Sequence, residues 1–137
     1  MTREKARRVL VGLLGLFYFV NGLPMLIDAR SWFEATPGVA QTGSFNSHLV
    51  WDVGLAFVSS ALALFAAALR GAWRSVGLAG AAFPALHAGL HVWGLIVGRS
   101  HLVAFELTAI VLPALLAVAL TWPSPLSDAT PIREDVQ

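Results

Sequence analysis

The sequence predicts an all-α integral membrane protein, a four-helix bundle with both termini on the cytoplasmic side. Three observations predict it. Hydrophobic residues make up 57% of the 137 and charged residues only 12%, where a soluble domain carries about 25% charged residues. The apolar residues gather into four runs of about 20, the length that crosses a hydrocarbon core of roughly 30 Å. Lysine and arginine are unevenly divided between the two ends of those runs, which sets the orientation of a polytopic chain.

Residues 1–8 (MTREKARR) form a basic cap, and the first crossing spans 9–27 with Asn21 as its one strongly polar interruption. Its apolar core is too long for a signal peptide, and the Asp28-Ala29-Arg30 exit does not suit a small-residue cleavage site, so the segment is expected to be retained. Residues 28–47 are polar, broken by Pro37, Gly38 and Gly43, and form the longest loop. Trp32, Phe33 and Phe45 are placed to seat it on the interface. Further crossings are expected at 48–69, 72–97 and 102–122, the middle two joined by a tight turn at 70–74. Arg3, Lys5, Arg7, Arg8, Arg70, Arg74 and Arg133 then share one side, against Arg30 and Arg99 on the other. The positive-inside rule puts the larger group in the cytoplasm of a plasma (inner) membrane protein. Trp73 and Trp122 fall at that same interface, where indole rings prefer to sit. One domain, residues 1–122, is followed by a Pro-rich tail at 123–137, expected to be flexible and cytoplasmic.

Composition excludes several function classes. With no cysteine, disulfides, thiolate metal sites and dithiol redox chemistry are ruled out. A net charge of +1 gives no reason to expect a nucleic-acid partner. Glycine-rich phosphate loops, nucleophile elbows and the His-Glu-x-x-His pattern are all missing.

The informative residues are polar groups inside the apolar runs, because an ionisable side chain at membrane depth costs about 2.5 kcal/mol or more and marks a functional site by default. His48 and Asp52 lie four apart near one end of the second run, and His87 and His91 repeat that spacing in the third. Each pair therefore shares a helix face, with Ser59 extending the first stripe and Gly80, Pro84, Gly94 and Gly98 flanking the second. Although successive helices run in opposite directions, counting 1.5 Å per residue brings Asn21, Asp52, His87, His91 and Glu106 to similar depth on the extracytoplasmic side. One outward-facing pocket is expected to collect them. Tyr18, Asn21, Trp51 and Trp93 are expected to line it, and His101, Glu34 and Asp28 to be solvated.

Three chemistries fit such a set. Asp52, Glu106, His87 and His91 can act as acid and base on a bound lipid-like or isoprenoid substrate. Alternatively, His48, Asp52, His87 and His91 can ligate a divalent metal, with zinc, iron or copper suited to imidazole and carboxylate. The same groups can instead serve as hydrogen-bonding pairs between helices. A b-type haem needs histidines on two facing helices, for which His48 and His91 are the available pair. In the first two cases the partner is a membrane lipid or apolar small molecule. In the third, the chain is an accessory or small-molecule-binding subunit with a membrane-protein partner or a second copy of itself.

The first run, VLVGLLGLFYFVNGLPML, with its Asn-Gly-x-Pro pattern, the polar loop, and HLVWDVGLAFVSSALALFAAAL followed by two more helices resemble the DoxX-like group of small four-helix bacterial membrane proteins. The likeness covers roughly residues 8–122 and implies a multi-pass bundle, with some members linked to respiratory or thiol-redox complexes; the lack of cysteine speaks against a thiol role here. A more distant similarity, in architecture and use of acidic, His and Trp side chains, is to the emopamil-binding type of sterol isomerase. It implies an isomerase-like bundle and carries over no individual residue.

Overall fold

Thr2 opens the first helix: its Oγ1 accepts from the Lys5 amide, and Glu4 in the first turn complements the helix dipole. The computed structural model describes residues 2–123, so the expected tail lies almost wholly outside the described residues. Helix α1 runs Arg3–Ile27, taking in the basic cap that the sequence reading left outside the first crossing. Asp28 then caps a short helix α2, Ala29–Ala35, through its side chain and the Ser31 amide. The polar segment after α1 is thus partly helical where a loop was expected. The two Ser31 hydrogen bonds, from amide and hydroxyl, hold the Asp28 carboxyl below the ordinary aspartate range.

Asn46 caps α3, Ser47–Leu69. A single 3₁₀ turn, Gly71–Trp73, leads into α4, Arg74–Ile96. The last helix, α5, occupies Val103–Thr121 and is interrupted by a π-helical stretch, Glu106–Val111. Pro113 gives this stretch a physical cause. Proline has no N–H and its ring crowds the carbonyl four residues back, and widening the preceding turn relieves the conflict. The Leu112 amide accordingly bonds the Leu107 carbonyl, five residues away.

α1, α3, α4 and α5 are each long and apolar enough to cross a membrane. Their packing follows membrane logic, with small residues inside and large aliphatic ones outside. The buried residues of α1 are Val11, Gly15, Tyr18, Gly22 and Met25, in alternating steps of four and three. On α3, Val50, Gly54, Ala61 and Leu64 are buried in the same rhythm, which makes a heptad seam between the two helices. The backbones meet at Gly22 and Gly54. A Cβ on Gly54 would stand 2.9 Å from the Met25 Cβ and 3.1 Å from the Gly22 carbonyl oxygen. Gly77 and Ala81 of α4 fit against α3 and α5, where Ala67, Ala117 and Thr121 are fully buried. Leu13, Leu16, Leu55, Leu62, Leu86 and Leu115 instead expose half or more of their surface, far more apolar area than a water-soluble monomer shows.

One end of the bundle is basic, the other carries the histidines. At the basic end the α1 side chains reach all three other long helices. Arg7 pairs with Glu4 through two contacts of 2.6 and 3.0 Å and donates to the Leu120 carbonyl of α5 at 3.0 Å. Glu4 also accepts from Arg74 of α4 at 2.7 Å. Arg8 donates to the Ala68 and Leu69 carbonyls that end α3, at 2.6 and 2.5 Å. Unpaired carbonyls at two helix C-termini thereby receive cations.

Candidate functional site

At the histidine end, α1, α3, α4 and the π-helical part of α5 enclose a cavity of about 330 Å³, roofed by α2 and the turn after it. Most of its lining is apolar or aromatic. Trp32 and Phe33 of the roof pack with Met25 and Val50 in a small core, which fixes the roof over the opening. Gly38, at φ +83°, makes the turn that brings the roof near Leu102. That backbone region suits glycine, and a Cβ there would also meet the Leu102 side chain.

His87 and His91 line the cavity from α4. The two Nε2 atoms are 3.2 Å apart, so one donates and the other accepts. His91 Nδ1 lies 3.7 Å from Glu106 Oε2, an ion-pair distance longer than a hydrogen bond. Glu106 is 5% exposed, and its other oxygen accepts from the Ser100 hydroxyl. With Glu106 ionised, the chain has one consistent proton assignment: Nδ1–H of His91 faces the carboxylate and Nε2 of His91 accepts from Nε2–H of His87. His87 Nδ1 is then left as an unprotonated imidazole nitrogen. Aromatic rings hold His87 in place: Phe83 stacks on it and Phe57 meets it edge-on, each with centroids 5.7 Å away. Phe57 in turn stacks on Tyr18 at 5.8 Å. Two buried polar atoms near this assembly have no hydrogen-bond partner among the described residues, the Tyr18 hydroxyl and Glu106 Oε2.

The structure therefore brings together His87, His91, Glu106, Tyr18 and Asn21, but not the whole expected set. His48 and Asp52 bond each other at 3.0 Å with side chains 81% and 58% exposed, and neither lines the cavity. They sit on the outer stripe of α3 with Leu55, Ser59 and Leu62, opposite the seam to α1. The four-residue metal set of His48, Asp52, His87 and His91 is accordingly not assembled, and among the described residues no group of three or more His, Asp or Glu is placed to hold a metal ion. A haem held between His48 and His91 fails for the same reason. Trp51 and Trp93 are 47% and 57% exposed and also stand outside the cavity, as interfacial anchors do. His101 is exposed, as expected.

Sequence reasoning missed Ser100, the π stretch and the roof. Ser100 had no signal, because its bond to Glu106 depends on how the chain turns after α4. The π stretch had one in Pro113, seven residues after Glu106. A wider depression of about 540 Å³ at the basic end borders Glu4 and Arg8, but both are already committed to the contacts described above.

Comparison of the chain with protein-family models, curated proteins and solved structures finds no match.

Proposed function

We propose that the chain is a multi-pass membrane protein, with both termini cytoplasmic, that takes a lipid-like molecule into the cavity and moves a proton on it. The observation that carries this reading is the run Glu106–His91–His87, a buried carboxylate joined through two imidazoles to the wall of a mostly apolar cavity. A carboxylate behind His91 orients that imidazole and fixes its tautomer, which in turn fixes the tautomer of His87 and leaves its Nδ1 free to accept a proton. His87 Nδ1 takes a proton from an activated C–H or O–H of the ligand, and the electron pair stays in the ligand. The same nitrogen returns the proton at another atom, giving an isomer with no co-reactant. Acid-base chemistry is favoured over metal chemistry because His48 and Asp52 stand apart from the histidine pair.

The test is isotopic. Lipid co-purifying with the protein is extracted and identified by mass spectrometry after incubation in deuterated water. The native protein should introduce deuterium into the bound molecule, and His87→Gln should lower the rate by about two orders of magnitude or more. Equal incorporation by both proteins would refute the proton-transfer role.

A second reading is favoured by a specific observation: the His48–Asp52 pair lies on the outer flank of α3, where a membrane would leave it short of partners. An accessory subunit, as the DoxX-like resemblance suggests, would cover that flank with a neighbouring helix. In that case His48→Leu with Asp52→Leu releases the partner on purification, while His87→Gln does not.

A further inference from the structure

The cavity separates α1 from the π stretch of α5. Phe17 and Asn21 stand on one side, Phe105 and Ala109 on the other, and α1 rejoins α5 along Leu112–Thr121 at the basic end. Asn21 is exposed as well as cavity-lining, so the cavity opens to the outside of the bundle beside it. Asn21 and Ala109 each lie about 9 Å inside their helix ends at 1.5 Å per residue. In the membrane placement proposed above, that depth faces hydrocarbon and not water. The Asn21 amide NH₂ donates to the Phe17 carbonyl at 2.8 Å, which leaves the Asn21 oxygen as an acceptor at the opening.

From this we infer that the ligand of the proposed site is a single-tailed amphiphile, its polar head at His87 and its tail leaving sideways between Asn21 of α1 and Ala109 of α5. The inference rests on the proposed ligand-binding role of the cavity. Volume supports it: about 330 Å³ is near the floor of the roughly 300–1,000 Å³ range for small-molecule sites. A head group and the first part of a chain fit, and a two-tailed lipid does not. A tail that leaves through the slot remains in hydrocarbon, whereas one that leaves past the roof at Thr42 is exposed to water. His87, His91 and Tyr18, whose hydroxyl has no hydrogen-bond partner among the described residues, line the inner part of the site and mark it, not the slot, as the place for the polar head. Ala109 is then the residue that sets tail selectivity, because its methyl group leaves the slot open.

The full chain in lipid nanodiscs is titrated with 4-methylphenol and with 4-dodecylphenol, following the imidazole NMR signals of His87 and His91. Both probes should shift those signals in the native protein. Ala109→Trp should weaken 4-dodecylphenol about tenfold or more while leaving 4-methylphenol within about twofold, and Thr42→Trp should leave both near native affinity. If Thr42→Trp blocks the long probe and Ala109→Trp does not, or if Ala109→Trp weakens both probes alike, the slot is refuted and the cavity reading survives. If neither phenol moves the histidine signals of the native protein, both fall. Should Ala109→Trp not fold, Phe105→Ala replaces it: widening the slot should tighten a branched-tail phenol by about tenfold relative to 4-methylphenol, and no change overturns the proposal.

Discussion

The two ends of the bundle solve the same problem in opposite ways. At the basic end, Glu4 pairs with Arg7 and Arg74, Arg7 donates to the Leu120 carbonyl, and Arg8 donates to those of Ala68 and Leu69, so α1 is tied there to the three other long helices. At the histidine end, the Tyr18 hydroxyl and Glu106 Oε2 are buried without hydrogen-bond partners among the described residues, a cavity takes the place of side-chain packing, and α5 leaves α-helical geometry. Unmet polar demand costs about 1–3 kcal/mol per group. The difference teaches that stability is concentrated at one end and chemical potential at the other, since a site that must accept a ligand cannot also be fully satisfied without one.

Substitutions can break or sharpen this contrast. The largest expected effect is at the seam where the backbones of α1 and α3 meet at Gly22 and Gly54. Gly54→Leu drives a side chain into Met25 and the Gly22 backbone and should cost about 3 kcal/mol, read by thermal or SDS unfolding in detergent; native stability would mean the helices are not in backbone contact there.

Next is the clamp. Arg7 is well covered while Glu4 is about half exposed, so Arg7→Ala should cost about 2 kcal/mol, from lost carbonyl capping and a screened ion pair. The hydrogen bonds from Arg7, followed by those from Arg74, hold the Glu4 carboxyl at about 2 against an ordinary 4.5. This is a depressed acid, so its contribution is complete above about pH 4.5 and is lost as pH falls towards 2. Solvent screening keeps that contribution under about 1 kcal/mol. In Arg7→Ala the loss of stability over this window should shrink. An unchanged acid profile would show that the pair does not hold the end together.

The smallest effect on stability belongs to the histidines. His87→Leu with His91→Leu, made together with Glu106→Gln so that no carboxylate is left buried without its partner, should unfold within about 1 kcal/mol of the native protein, while deuterium transfer to the bound lipid disappears. Strong destabilisation would instead assign the pair to helix packing.

Much of the bundle was legible because membrane-length apolar runs carry their own signal, and the helix boundaries at Ile27 and Leu69 follow from it. Half of the site was legible too. The depth argument placed His87, His91 and Glu106 at one level, and the structure joins them. It failed for His48 and Asp52 because shared spacing shows that two residues share a face without showing where the face turns. The missing signal was in the sequence: Gly54 and Ala61 mark the packed side of α3, whereas Leu55 and Leu62, in step with Asp52, mark the side turned away. A membrane helix buries its small residues, so glycine and alanine, not leucine, locate the interior. The roof was beyond reach, since its place depends on Trp32 and Phe33 finding Met25 and Val50 across the chain.

The bond from Arg7 to the Leu120 carbonyl joins residues 113 positions apart. Ribosomal synthesis supplies its donor before α3, α4 and α5 are made and its acceptor only in the last turn of α5. The Arg7 guanidinium must therefore wait while the other long helices emerge, and closure of the basic end is timed by the arrival of α5.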